Sequence, residues 1–89
     1  MKVAYQASLE QKKAARTKAV ERIIVTVDEI PLDGDEKSQD RMTRAMTILE
    51  AGESTLWMCA DNVPRSVTKE QFKLALRAAG EAQTALWFI

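Results

Sequence analysis

The chain has 89 residues, of which 46% are apolar, but thirteen of the apolar residues are alanine, so any core is modest and subunit contacts are expected to supplement it. Thirteen basic side chains balance thirteen acidic ones, which removes the overall positive surplus that phosphate backbones attract. Histidine is absent and Cys59 is the single cysteine, so the readiest proton shuttle, the commonest zinc ligand and an internal disulfide are all missing.

Residues 1–23 are set apart as a basic N-terminal segment, in which 8–23 read as a helix opened by Ser8 and Gln11 in capping-box spacing. Its apolar stripe of Leu9, Ala19, Val20 and Ile23 is interrupted by Lys12, Lys13 and Arg16, so it buries little by itself. No long apolar stretch follows Lys2, which argues against a signal peptide. Apolar runs are far too short for a membrane span, so a reducing cytoplasm is the expected location. The rest of the chain, 24–89, is expected to be one compact folding unit.

Ile24 to Ile30 is β-branched and ends before Pro31, the pattern of a strand with Val25, Val27 and Ile30 near the core. The Asp33-Gly34-Asp35-Glu36 turn then leads into a helix from about Glu36 to Ala51, with Gly52 just past its end. Met42, Ala45, Met46 and Leu49 define its buried face. A second strand spans Thr55 to Ala60, with Leu56, Met58 and Ala60 on one side and Trp57 and Cys59 on the other. Trp57 is expected to cover the sheet and Cys59 to be a packed thiol. A loop at Asp61 to Pro64 precedes a short edge strand at Arg65 to Val67. Thr68 and Gln71 form another capping box, opening a helix from Lys69 to about Leu86 whose Phe72, Ala75, Leu76, Ala79 and Leu86 share a face. Gly80 inside it marks either a close helix approach or an open position. The expected fold is α+β, with three helices, a small antiparallel sheet of two to three strands, and the order α-β-α-β-β-α.

The neutral total hides a division. Residues 1–22 carry six basic and two acidic groups, whereas residues 23–40 carry six acidic and one basic. These are two solvated faces, or else the basic helix of one chain meets the acidic turn of a neighbour, a complementarity that sets partner choice. Lys12, Lys13, Arg16, Asp33 and Asp35 are therefore candidate interaction residues. Asp33, Asp35, Glu36 and Asp40 fail the calcium-loop spacing, and helix capping explains them without a metal. Neither a nucleophile–histidine pair nor a glycine-rich phosphate loop exists, so no catalytic residue and no cofactor is assigned. Trp57 and the apolar run Trp87-Phe88-Ile89 are further candidates for contact, because an exposed terminus of that kind needs cover.

The run Val27-Asp28-x-Ile30-Pro31-Leu32-Asp33-Gly34-Asp35-Glu36-x-Ser38-Gln39-x-Arg41-Met42, then Trp57-x-x-Ala60-Asp61-Asn62, then a threonine-capped helix from Thr68, resembles a domain of unknown function. That family occurs in prophages and in tail-fibre and tail-associated proteins of tailed phages. The resemblance covers about residues 24–87 and implies a phage origin and a structural or assembly role, without an activity. A non-enzymatic module acting through protein contacts, self-association included, is the expected function. A small nucleic-acid-binding or regulatory phage protein using Lys12, Lys13, Arg16, Lys18 and Arg22 is the alternative, and no membrane partner is expected.

Overall fold

A computed structural model describes residues 13–87. The fold is α+β, with three helices and two small antiparallel sheets in the order α-β-β-α-β-β-α. The described part of α1 covers 13–21; β1 is Ile24–Val27, β2 Ile30–Asp33, α2 Glu36–Ile48, β3 Ser54–Met58, β4 Pro64–Thr68 and α3 Lys69–Leu86. The Ser8–Gln11 pair, Leu9 and Lys12 at one end, and Phe88 and Ile89 at the other, lie outside the described residues.

The single strand expected at Ile24–Ile30 is instead half of a hairpin. Asp28 and Glu29 adopt φ of 49° and 65°, the paired positive values that a tight type I′ turn requires, and the chain reverses there. β2 runs back along β1 with Val25 opposite Leu32 and Val27 opposite Ile30. Val25, Val27 and Leu32 point into the core, while Ile24 and Thr26 point out. The Asp28 carboxylate accepts a bond from the Gln71 side chain at 3.1 Å, which ties this turn to the first turn of α3.

α2 ends at Ile48, earlier than its sequence pattern suggests, because Leu49 is extended (ψ 140°). Gly52 therefore belongs to the following turn, where it takes φ of 81°. The start of α3 clamps this connection: Lys69 donates to the Leu49 carbonyl and Glu70 accepts from the Gly52 amide, both at 2.9 Å. α3 begins with the expected capping box, Thr68 accepting from the Gln71 amide and Gln71 accepting from the Thr68 amide.

The core contains Val25, Val27, Leu32, Met42, Cys59, Val67, Phe72, Ala75 and Ala79, with Ala45, Met46, Leu49 and Leu76 packed against it. Trp57 meets Phe72 edge-on, ring centres 4.9 Å apart, and so joins the second hairpin to α3. The glycines divide the two roles that the sequence left open. A Cβ on Gly80 would meet nothing within 4 Å, so this is an open position. The close approach is at Gly34, where a Cβ would lie 2.5 Å from Ile23 Cγ2 and 3.2 Å from Ala79 Cβ.

Candidate functional site

A cleft of about 640 Å³ opens where α1, the start of α2 and the end of α3 converge. α1 supplies Lys13, Arg16 and Val20 to its walls; the acidic turn supplies Asp35 and Glu36. Gln83, Leu86 and Trp87 come from the far end of α3, and Glu21 and Lys37 also border the space. The basic and acidic segments separated in the sequence thus border one cleft of one chain.

The acidic wall is held by hydrogen bonds. Asp35 caps α2, its side chain accepting from the Ser38 amide at 3.4 Å. Glu36 accepts from the Gln83 side chain at 2.6 Å, and Gln83 in turn accepts from Gln39 at 2.8 Å. The same Gln39 amide group donates to the Gly34 carbonyl at 2.9 Å, which fixes the strand-to-helix corner. On the basic wall, neither Lys13 nor Arg16 forms an ion pair among the described residues, and Arg16 Nε is shielded from solvent without a hydrogen-bond partner. Trp87 stays 59% exposed beside Leu86.

A second feature lies on the β3–β4 hairpin. Thr55 and Trp57 face inward opposite Val67 and Arg65, while Leu56 and Met58 face outward opposite Ser66 and Pro64. Leu56 is 70% exposed and Met58 59%. The hairpin tip is polar. Arg65 holds Asp61 through two bonds of 2.9 Å, and Asp61 also accepts from the Val63 amide. The Arg65 guanidinium bonded to Asp61 holds that carboxyl below its ordinary value, and Arg65 is correspondingly raised. Backbone amides, including that of Gly52, likewise lower Glu70.

The family model for a domain of unknown function (DUF4376) matches residues 3–89. The chain belongs to that family. The match reaches upstream of the residues that carry the sequence resemblance and includes α1. Comparisons with curated proteins and with solved structures return no match.

In this DUF4376 domain, Lys13, Arg16, Asp35 and Trp87 meet at the cleft, but the other candidates do not join them. Asp33 ends β2 opposite Ile24 and is exposed, so it does not share the capping of α2 with Asp35. Trp57 lies in the second hairpin, half-buried on Phe72. No three acidic or cysteine side chains among the described residues converge closely enough to hold a metal ion. Gln83 and Leu86 carried no signal of a site in the sequence, because a glutamine and a leucine in a helix are ordinary until the chain places them beside Arg16. The outward turn of Leu56 and Met58 was half legible: alternation put them on one face without saying which face met solvent.

Proposed function

We propose that this chain is a non-enzymatic structural or tail-assembly module of a phage or prophage, acting through protein–protein contacts that include self-association. The observation that carries this proposal is the outer face of the β3–β4 hairpin. Leu56 and Met58 lie two residues apart on one strand face, so two large apolar side chains share one exposed surface. Covering such surface releases roughly 25 cal/mol for each Å² removed from water. Among the described residues β3 has β4 as its only strand neighbour and carries neither a charge nor a proline from Ser54 to Met58, so its other edge lacks the usual guards against pairing with another strand.

The phage setting is supported by the resemblance of the Val27–Met42 and Trp57–Asn62 segments to domains of tail-associated proteins. Synthesis in the bacterial cytoplasm, with the virion as destination, follows from that setting. No helix among the described residues is long and apolar enough to cross a membrane, which fits a protein partner better than a bilayer. Sedimentation velocity over a range of concentrations tests the proposal. The unaltered chain associates as concentration rises, and a Leu56→Ser, Met58→Ser double variant remains monomeric with its melting temperature nearly unchanged. A strict monomer at high concentration overturns self-association, and flanking genes unrelated to virion assembly overturn the phage setting.

A further inference from the structure

We infer that β3 pairs along its outer edge with β3 of a second copy of this chain, antiparallel about a two-fold axis at Leu56, so that the β3–β4 hairpins of both chains join into one four-stranded sheet. The inference rests on the proposal of self-association and states which backbone groups carry it. Strand alternation gives the first step. The Cys59 amide donates to the Val63 carbonyl and the Lys69 amide to the Glu53 carbonyl, on the same register that sets Thr55 opposite Val67 and Trp57 opposite Arg65. Hydrogen-bonded pairs recur at every second residue of an antiparallel ladder, so Thr55 and Trp57 turn their amides and carbonyls to β4, whereas Ser54, Leu56 and Met58 turn theirs away. Pro64, which has no amide to give, stands opposite Met58 as this requires. Among the described residues these three amides and three carbonyls have no other partner. The open window is closed at both ends within the chain. Two residues beyond it on either side, the Gly52 amide donates to Glu70 and the Ala60 amide to the Pro31 carbonyl, each at 2.9 Å. Gly52 and Ala60 are equally far from Leu56 along the chain, so the window is symmetric about that residue. The occupant follows from this symmetry. An antiparallel copy with Leu56 opposite Leu56 sets Ser54 opposite Met58 at both ends, and all six edge groups of each chain are then bonded. A shift of two residues in either direction sets Met58 against a Gly52 amide, or Ser54 against an Ala60 amide, that is already in use. A two-fold axis also brings like residues together, which a charge near it would oppose, and the window carries none. On the outer face Leu56 meets its own copy and Met58 lies diagonal to it, so joining the edges gathers the exposed apolar side chains of both chains.

Hydrogen exchange of single amides in the full ¹³C,¹⁵N-labelled chain, followed by NMR at low and at high concentration, tests the pairing. At low concentration exchange alternates along β3, fast at Ser54, Leu56 and Met58 and slow at Thr55 and Trp57. At high concentration the fast three slow by roughly tenfold once about one chain in ten stays free, and the alternation is lost. In a mixture of labelled and unlabelled chains, an Hα–Hα contact joins Thr55 of one chain to Trp57 of the other, the pair that this register sets face to face without hydrogen bonds. Ser54→Pro separates the edge from the apolar face. It removes one edge amide at the first residue of the strand, where proline is tolerated, and leaves Leu56 and Met58 as they are. Sedimentation then shows association weakened by at least about tenfold, because the symmetry removes the bond twice, while the melting temperature at low concentration stays near that of the parent. Leu56→Lys, which sets two like charges at the axis and keeps the backbone of β3, gives the same loss and serves if the proline variant folds poorly. Association of Ser54→Pro as strong as the parent's, without the Thr55–Trp57 contact, would overturn the edge pairing and leave self-association through the apolar face standing. Edge amides that exchange slowly at every concentration would overturn it as well, since the chain then covers its own edge. A strict monomer whose edge amides stay fast would overturn both proposals and leave the edge to a different protein.

Discussion

The two hairpins are alike in antiparallel pairing, with strands of four residues in the first and five in the second, yet they divide their apolar residues differently. In β1–β2 the inward pair Val25 and Leu32 is buried, and the outward positions are Ile24, 59% exposed, Thr26 and Asp33. In β3–β4 the inward side buries Val67 and half-buries Trp57, while Leu56 and Met58 face solvent. The first hairpin thus gives most of its apolar side chains to the core and leaves Ile24 outside, whereas the second leaves two, Leu56 and Met58, on one external face. In a chain with so few large apolar residues, leaving Leu56 and Met58 outside forgoes stability, which makes sense if another molecule covers them.

The sharpest way to break this contrast is a matched pair of truncations. Leu32 is fully buried, so Leu32→Ala costs about 2–5 kcal/mol, a large part of a small domain's stability. Leu56→Ala, at 70% exposure, changes the stability of the isolated chain by no more than about 0.5 kcal/mol. Urea unfolding of both at low concentration decides it. Similar losses would mean that Leu56 is covered within its own chain.

The exits and entries of the hairpins differ in kind as well. Gly34, leaving β2, donates its amide to the Ile23 carbonyl at 2.8 Å and leaves no room for a Cβ. Gly34→Ala therefore displaces Ile23 from its packing against the core and costs about 1–3 kcal/mol. Gly52, ahead of β3, has open space around it, but its φ of 81° disfavours any side chain. Gly52→Ala costs about 1 kcal/mol, as backbone strain alone. Chemical denaturation ranks the two, and Ile23→Ala discriminates between the causes: it relieves Gly34→Ala and leaves Gly52→Ala as it was.

The same contrast explains how far the sequence could be read. β1 was legible through its β-branched residues, α2 through Met42, Ala45 and Met46, and α3 through Phe72, Ala75 and its capping box. β2 was not, because Ile30-Pro31-Leu32-Asp33 has the composition of a turn and the reversal at Asp28-Glu29 lacks the glycine or asparagine that normally marks positive φ. Leu32 consequently escaped notice as a core residue. At the site, the division into basic and acidic segments was visible, and so were Lys13, Arg16, Asp35 and Trp87 as separate candidates. Their meeting in one cleft depends on how α1 and the end of α3 pack beside Asp35 and Glu36, and no local pattern encodes that distance.

The smallest expected effect concerns acid. The tip of the second hairpin is held by Asp61 and Arg65, whereas the first turn relies on Asp28 bonding to the uncharged Gln71. Asp61 has a folded value below its ordinary 3.8, so its contribution is present above that value and is lost as pH falls through the lower, folded one. Because the pair is exposed, the change is local: the Val63 amide signal moves with Asp61 protonation while the core resonances of Leu32 and Phe72 stay put. Arg65→Met raises the Asp61 titration, followed at its carboxyl carbon, toward the ordinary value, because the guanidinium bond is the largest cause of its lowering. If the variant instead titrates as low as the parent, the Val63 amide and not the guanidinium sets the carboxyl, and the tip is held by its backbone turn, as the first hairpin is.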